Sequence, residues 1–340
     1  TGDLSSINGW YTLLDEITAL KSAEGAPAAQ VYYALVPVSS GTSTWFLGGT
    51  AGIGWVGSRV AVGLDTSRTA PQIAAHEVGH NLGLWHSPCG NPSGVDPDFP
   101  YPGGTIGQYG LDVWNGVLYS PDYLDFMSYC SPRWVSDYTF VKLYQSQVKN
   151  GASPSLGQTL PGSPARRSLM VRYSFDSDGV QALPAYVLTS SAQGDVQPGD
   201  YTLQVLGAGG EVLSETQAAA FKTSLDDAER SAINASIPLP DQPAAKLRLL
   251  KDGLTLVEQT LELDAPEVSE PVVTSSGEGS LSIRWSEPNR PAIVRYSADG
   301  GRTWTILGVD VMGGSLTVNT GALPEAGAIF EVIPASAWSR

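Results

Sequence analysis

The chain has 340 residues, 42% of them hydrophobic, and a formal net charge of -15 at pH 7. This length exceeds what one ordinary core contains, so we expect more than one domain. Repulsion from phosphates makes nucleic acid an unfavourable partner, and the lack of an apolar run of about 18 residues excludes a membrane-spanning helix.

The first 150 residues are predicted to mix helices and strands. The predicted elements, in chain order, are a helix over 7–25, strands within 31–38 and 49–65, a helix over 71–82 and a helix over 137–149. Gly83 is expected to end the second helix, and Ser136 is expected to cap the third. The third helix would present Phe140 and Tyr144 on one apolar stripe.

The composition and the pattern of the sequence change after residue 150. Residues 151–165 are rich in Gly, Ser and Pro, which is typical of a linker. Short β-rich stretches separated by Gly or Asp-Gly turns follow it. We therefore predict a catalytic domain over 1–150, a linker over 151–165, and two β-sandwich modules over 166–264 and 265–340.

All three histidines of the chain lie within eleven residues, HEVGHNLGLWH, which run from His76 to His86. His76 and His80 are four residues apart on a predicted helix, so both imidazoles face one side and can reach a single metal. Gly83 permits a sharp turn that would return His86 to the same metal. Three nitrogen ligands with an open fourth position are typical of a catalytic zinc site, and Glu77 can hold the metal-bound water.

These residues carry a resemblance to a known family. The pattern H-E-x-x-H-x-x-G-x-x-H is similar to the signature of the metzincin clan of zinc metalloproteases. DFMSYC, with Met127, resembles the Met-turn that lies beneath the metal in that clan. Ser87 after the third histidine is similar to matrixins, whereas Met127-Ser128-Tyr129 looks like the turn of astacins and serralysins.

The resemblance implies a fold and roles for further residues. It implies an α+β metzincin-like catalytic domain, with a twisted mixed sheet and an active-site helix, followed here by two all-β sandwich modules. It implies that Glu77 is the general base and that Tyr129 binds zinc or stabilises the oxyanion, the alternative being an ordinary pocket tyrosine. The substrate-binding residues that it implies are Gly52, Ile53, Gly54 and Trp55 of an edge strand, and Trp134 in a side-chain pocket.

Two cysteines and several aspartates leave alternatives open. Cys89 and Cys130 are predicted to form a disulfide, against the alternatives of two free thiols or of Cys89 as a thiolate ligand. Asp96, Asp98 and Asp112 offer carboxylates to a calcium ion, although a solvated acidic loop is the simpler interpretation.

The predicted function is a zinc-dependent endopeptidase that is secreted, from a bacterial source, and acts on protein or peptide substrates. The chain begins with Thr1 and not with an initiator methionine, which predicts a processed or trimmed chain, so any signal or pro-segment would lie upstream of Thr1. Two rival hypotheses are a zinc-binding adhesin with a degenerate protease fold and a zinc hydrolase of a non-peptide amide. The carboxylate of Glu77 argues against the adhesin, because a purely structural metal site has no use for it.

Overall fold

The computed structural model describes most of the chain. The described residues are 3–38, 50–66, 68–149, 166–190, 196–224, 230–263, 270–277, 279–301, 304–319 and 328–338. The predicted linker, 151–165, lies outside them. The chain divides into two compact units, the first comprising Thr1–Ile17, Ala29–Gly157 and Phe221–Arg230, and the second comprising Thr18–Ala28, Gln158–Ala220 and Ser231–Arg340. The predicted domain boundaries stay predictions.

The described residues up to 149 contain three α-helices and seven strands. They are α1 (Ile7–Ala23), β1 (Tyr32–Pro37), β2 (Gly52–Gly54), β3 (Val60–Asp65), α2 (Ala70–Asn81), β4 (Gly110–Asp112), β5 (Val117–Tyr119), β6 (Leu124–Asp125), β7 (Arg133–Trp134) and α3 (Asp137–Lys149). A short 3-10 turn, Pro102–Gly104, precedes β4. The three predicted helices are confirmed, and Ser136 caps α3 by accepting a hydrogen bond from the Thr139 amide at 3.1 Å.

A small sheet supports α2 in the first unit. β1 and β3 run parallel, from Tyr32 opposite Val60 onwards, and β2 runs antiparallel to β3. The strand order is β1-β3-β2, so β2 is an edge strand of this sheet. The residues of β3 from Val60 to Leu64 are buried, and α2 packs against β2 and β3. A continuous apolar strand of this kind is expected where both faces of a sheet are covered.

The rest of the described chain is built of strands. They are β8 (Arg166–Asp176), β9 (Gly179–Ala182), β10 (Tyr186–Ser190), β11 (Tyr201–Leu206), β12 (Val212–Ala218), β13 (Phe221–Lys222), β14 (Ser231–Pro238), β15 (Lys246–Lys251), β16 (Leu254–Thr260), β17 (Val272–Gly277), β18 (Ser280–Arg284), β19 (Ala292–Ser297), β20 (Thr305–Val311), β21 (Ser315–Asn319) and β22 (Ile329–Pro334). Of these, β13 lies in the stretch 221–230 that belongs to the first unit.

The core of the second unit lies between small antiparallel sheets. One sheet contains β10, β8 and β14 in that order with β9 beside β8, and another has the order β12-β11-β15-β16. Both sheets contribute to one buried cluster, which includes Tyr173 and Leu249. Alternation along β15 turns Leu247 and Leu249 inward, whereas Arg248 faces outward and pairs with Glu258 at 2.8 Å. Two three-stranded sheets, β17-β18-β21 and β20-β19-β22, surround further buried clusters.

The predicted fold class is wrong. In the part of the chain that the structure describes, strands far outnumber the three α-helices, and they form seven sheets of two to five strands each. The fold is thus mostly β with several small sheets, not an α+β metzincin-like domain with an active-site helix followed by two sandwiches. The prediction was wrong for the first 150 residues because the helical histidine motif dominates their sequence pattern, although much of the chain there forms short strands and loops. In the later part the spacing of turns indicates where strands occur, but it does not specify how they pair.

None of the described helices combines the length and the apolar character that crossing a bilayer requires.

Candidate metal and catalytic site

The candidate site is built on α2 and the turn that ends it. Pro71 occupies the first turn of the helix, where its missing N–H costs no hydrogen bond. At the other end Gly83 adopts φ +90°, its amide donates to the carbonyl of His80 at 2.8 Å, and the amide of Leu84 donates to the carbonyl of Gly79 at 3.1 Å. This pair of bonds is a Schellman cap, which reverses the chain directly after the second histidine.

The three histidines converge. The Nε2 atom of His80 lies 3.2 Å from the Nε2 atom of His76 and 3.2 Å from that of His86. His86 is held in place because its amide donates to the carbonyl of Gly94 at 3.1 Å and its carbonyl accepts from the amide of Asp96 at 2.8 Å. Within the described ranges, these three buried side chains are the one group of three or more potential ligands whose donor atoms meet.

Backbone carbonyls fix the protonation of each ring. The Nδ1 atom of His76 lies 3.0 Å from the carbonyl of Phe126, that of His80 lies 2.8 Å from the carbonyl of Leu84, and that of His86 lies 2.5 Å from the carbonyl of Ser93. A carbonyl oxygen only accepts, so each Nδ1 carries the proton and each Nε2 directs a lone pair inward.

The burial of these rings favours their neutral form. Desolvation lowers the pKa of His76 to about 4 and holds the pKa of His80 well below its usual value. Three neutral nitrogens with lone pairs facing one another repel unless a cation lies between them. The residues therefore fit a divalent metal that prefers imidazole ligands, as zinc does.

A buried turn supports the helix from below. Met127 is 1% exposed and its amide donates to Oδ1 of Asp125 at 2.9 Å, while Oδ2 of Asp125 accepts from the amide of Ser136 at 3.0 Å. The carbonyl of Met127 accepts from the amide of Ser87 at 3.2 Å. A Cβ atom on Gly79 would stand 2.6 Å from Sδ of Met127, so Met127 packs against α2. The role of Asp125 was missed because a single aspartate in a two-residue strand gives no specific sequence signal.

A disulfide joins the loop after His86 to the chain after Met127. Cys89 and Cys130 are bonded, with Cα atoms 5.7 Å apart. This confirms the predicted pairing and rules out Cys89 as a thiolate ligand. Beside the disulfide, the ring of Tyr129 lies 4.9 Å from that of His86 and is 44% exposed, so it borders the three histidines on the solvent side.

Glu77 lies on the same helix and is buried. Its side chain is 5% exposed, and its Oε2 atom lies 3.5 Å from the hydroxyl of Ser224. A Cβ atom on Gly52 would stand 2.7 Å from the Glu77 side chain, so the absence of a side chain on Gly52 makes room for the carboxylate. Burial raises the pKa of Glu77 to about 8, and the hydrogen bond from Ser224 opposes that rise.

The predicted substrate-binding residues fall in two places. Gly52, Ile53 and Gly54 form β2, and Trp55 follows directly; all four are buried. The carbonyl of Trp55 accepts from the side chain of Asn81 at 3.0 Å, which ties this strand to the end of α2. Trp134 is elsewhere, in β7 opposite Asp125, where it stacks on Tyr119 with ring centroids 4.3 Å apart.

Sequence reasoning missed a segment that reaches β2 from far along the chain. The amide of Ser224 donates to the carbonyl of Gly54 at 2.8 Å, and the amide of Gly54 donates to the hydroxyl of Ser224 at 3.1 Å. The carbonyl of Lys222 accepts from the amide of Val56 at 2.9 Å, and Thr223 forms an antiparallel bridge with Trp55. No local pattern signals such a contact, because the partners are 170 residues apart at Gly54 and Ser224.

The carboxylates of Asp96 and Asp112, two of the three aspartates considered for calcium, have other partners. Asp96 pairs with Lys142 at 2.6 Å and accepts from the hydroxyl of Tyr138 at 3.0 Å. Asp112 accepts hydrogen bonds within its own turn, from the amide of Trp114 at 2.9 Å among others. Asp98 donates its amide to Asp96 at 3.1 Å. Among the described residues these aspartates form no group of three or more potential metal ligands, and calcium binding stays a prediction.

Comparisons with protein-family models, with curated proteins and with solved structures found no match to this chain. The geometry of the site therefore supplies the structural observations on its function. That geometry comprises a buried three-histidine group able to hold a metal, a buried carboxylate on the same helix, and a disulfide-bonded loop beside them.

Proposed function

We propose that the protein is a secreted zinc-dependent endopeptidase whose metal site is of the metzincin type. One observation carries the proposal. All three histidines donate through Nδ1 to backbone carbonyls, so their Nε2 lone pairs point to a common centre, 3.2 Å apart for His80 and each of the other two. A site that is only structural closes its fourth position with another protein ligand. In the described ranges no fourth His, Cys, Asp or Glu joins the group.

The chain's own residues supply the remaining chemistry. His76, His80 and His86 would hold the zinc, which when bound activates a water molecule and polarises a peptide carbonyl. Glu77 would take the proton of that water and pass it to the leaving amine. Tyr129, whose ring lies 4.9 Å from His86, would donate its hydroxyl to the developing oxyanion.

An extended peptide is the proposed substrate. Its main chain would pair with β2, Gly52–Gly54, and with Trp55, in the manner in which an added strand extends a sheet. Trp134 would line a pocket for the side chain after the cleaved bond. In the present conformation residues 222–224 already pair with Gly54 and Val56, so a peptide must displace them.

The disulfide and the net charge support the proposed secretion and the proposed class of substrate. A bond between Cys89 and Cys130 is typical of proteins that fold in an oxidising compartment, which supports secretion. A net charge of -15 makes a nucleic-acid substrate unfavourable and a protein or peptide substrate the better proposal.

Casein digestion tests the proposed function. Zinc-loaded protein should cut casein, a chelator should abolish the activity, and added zinc should restore it. Glu77→Ala should retain zinc and lose about 100- to 10,000-fold in rate, as loss of a general base does. Glu16→Ala, which removes an exposed glutamate from α1, is the matched control and should keep full activity.

Three outcomes would change the proposal. Full activity in zinc-loaded Glu77→Ala would remove Glu77 as the base. Tight zinc binding without cleavage of any protein would favour a binding protein, and cleavage of small amides alone would favour a non-peptide hydrolase.

For Tyr129→Phe we expect kcat to fall by about a hundredfold with KM unchanged, and an unchanged rate would exclude that hydroxyl from the reaction.

A further inference from the structure

The residues Phe221–Ser224, which we name the strap, lie along the outer edge of β2. Neighbouring residues of an edge strand alternate between its paired and its open side. The amide of Trp55 donates to the carbonyl of Val60 at 3.2 Å, so the main-chain amides and carbonyls of the odd-numbered residues point towards β3. Those of the even-numbered residues Gly54 and Val56 point to the open edge, where the strap forms hydrogen bonds with them.

The strap fills the positions that a peptide partner would use. Gly54 is bonded through both its amide and its carbonyl to Ser224, and the amide of Val56 donates to Lys222 at 2.9 Å. The bridge between Trp55 and Thr223 is antiparallel. The two main-chain bonds, from the Ser224 amide to the Gly54 carbonyl and from the Val56 amide to the Lys222 carbonyl, are of the kind that holds an added strand on a sheet edge, whereas the Gly54 amide bonds the Ser224 hydroxyl.

The strap also covers the proposed general base. The hydroxyl of Ser224 accepts from the amide of Gly54, so its own proton is available to Glu77, whose Oε2 atom lies 3.5 Å away. Thr223 and Ser224 are each 2% exposed. Solvent and substrate therefore reach this side of Glu77 only when the strap has moved.

A separate contact holds Arg230, whose carbonyl accepts from the amide of Thr223 in the strap at 3.5 Å. Arg230 forms an ion pair with Asp15 at 2.9 Å, and its guanidinium lies 4.8 Å from the centre of the Tyr11 ring. Both partners are on the α1 residues of the first unit, to which 221–230 also belongs. The contact depends on side chains alone, so it can be weakened without touching β2 or Glu77.

We propose that the strap is an autoinhibitory segment that competes with an extended peptide for the outer edge of β2 and must leave that edge before Glu77 can act. This inference rests on the proposed function. It assigns residues 221–224 a regulatory role. It predicts that substitutions that weaken the contacts of the strap increase the affinity for peptide. If the strap instead oriented Glu77 for catalysis, the substitutions that weaken its contacts would impair the protein and would not improve it.

Three substitutions weaken the strap in different ways. Ser224→Ala removes the hydroxyl that contacts Gly54 and Glu77, Arg230→Gln removes the ion pair with Asp15, and Ser224→Pro also removes the amide donated to Gly54. The matched controls are Ser276→Ala, which removes an exposed serine–serine hydrogen bond, and Arg248→Gln, which removes an exposed ion pair.

Binding is measured separately from catalysis. A fluorescently labelled casein-derived peptide is titrated into zinc-loaded protein that carries Glu77→Ala, with and without each strap substitution, and followed by anisotropy. We expect Ser224→Ala and Arg230→Gln to tighten peptide binding about tenfold, the factor that corresponds to one lost competing interaction, and Ser224→Pro, which loses two bonds to Gly54, to tighten it more. With Glu77 intact, Arg230→Gln should lower KM by a similar factor and leave kcat unchanged.

The outcomes separate this inference from the proposed function. Peptide binding that is unchanged or weaker in all three strap variants, in a protein that does cut casein, would overturn the strap and leave the endopeptidase intact. If the wild type and every variant hold zinc but neither bind peptide nor cut casein, the proposed function fails and the strap fails with it. Tighter binding in the strap variants but not in the controls supports the strap, and together with casein cleavage by the wild type it supports both proposals.

Discussion

The sulfur of Met127 lies where a side chain on Gly79 would begin. A Cβ atom on Gly79 would stand 2.6 Å from Sδ of Met127, closer than real contacts allow. Gly79 precedes His80 on α2, and Met127 follows Phe126, whose carbonyl binds the ring of His76. The helix that carries two of the histidines therefore rests directly on the turn that orients one of them.

Gly79→Ala should consequently destabilise the protein. In an exposed helix this change is stabilising by roughly 1 kcal/mol, but here overpacking against Met127 should cost about 1–3 kcal/mol. Urea unfolding measures the stability, and zinc titration should show weaker binding in the same variant. A more stable protein with unchanged zinc affinity would contradict the close approach.

The carboxylate of Asp125 should contribute as much to the stability of the fold as any group outside the metal site. It is fully buried and accepts from the amides of Met127 and Ser136. Asp125→Ala leaves both amides unsatisfied, so we expect a loss of about 2–5 kcal/mol in the free energy of unfolding. Asp122→Ala, an exposed neighbour that contacts only Ser120 among the bonds described, should change it little. Equal stability of the two variants would exclude the support role.

The disulfide should stabilise the loop beside the histidines. Cys89 and Cys130 close a loop of 41 residues, and the chain-entropy model gives about 3–4 kcal/mol for a loop of this size. The double variant Cys89→Ser/Cys130→Ser should lose that amount in urea unfolding, and reductant should have no further effect on it. A wild-type protein whose unfolding is unaffected by full reduction would contradict this expectation.

Alkaline pH should lower the stability of the protein through a buried tyrosine of the second unit. Burial, together with the nearby carboxylate of Asp310, holds the pKa of Tyr186 well above its usual value. An unfolded tyrosine ionises near pH 10, so the unfolded state loses a proton there while the native state keeps it. The stabilising contribution is complete below that pH and declines as the pH rises towards the folded pKa.

Tyr186→Phe tests this dependence. The variant loses the hydrogen bond of 2.6 Å to Asp310 and is less stable at pH 8. Its urea midpoint should fall less steeply than that of the wild type between pH 9 and pH 11, an interval we choose to bracket the ordinary tyrosine pKa of about 10. Parallel curves for the two proteins would mean that Tyr186 does not titrate differently on folding.

The sequence allowed the local parts of the site to be predicted, because they depend on short-range rules. Helical spacing brings His76 and His80 to one face, and Gly83 supplies the positive φ that returns the chain. The pairing of Cys89 with Cys130 was the preferred interpretation of a scarce, even cysteine count and of the position of Cys130 just after the Met-turn, with free thiols as an alternative. These features need no knowledge of the distant chain.

What could not be predicted depends on tertiary contacts. Ser224 reaches Glu77 across 147 residues, and no periodicity encodes that approach. The pattern of α3 indicated an apolar stripe, yet Phe140 is 60% and Tyr144 is 64% exposed. Periodicity identifies a face of a helix but not what covers it. The fold class failed for the same reason, since strands are recognisable locally but their pairing is not.

The most direct test of the metal site is X-ray absorption at the zinc edge of the zinc-loaded protein. We predict one zinc per chain with three imidazole nitrogens and one oxygen, at about 2.0–2.1 Å. His80→Ala should lose the signal of that site. A sulfur ligand, or fewer than three imidazoles around the bound zinc, would exclude the proposed metal site.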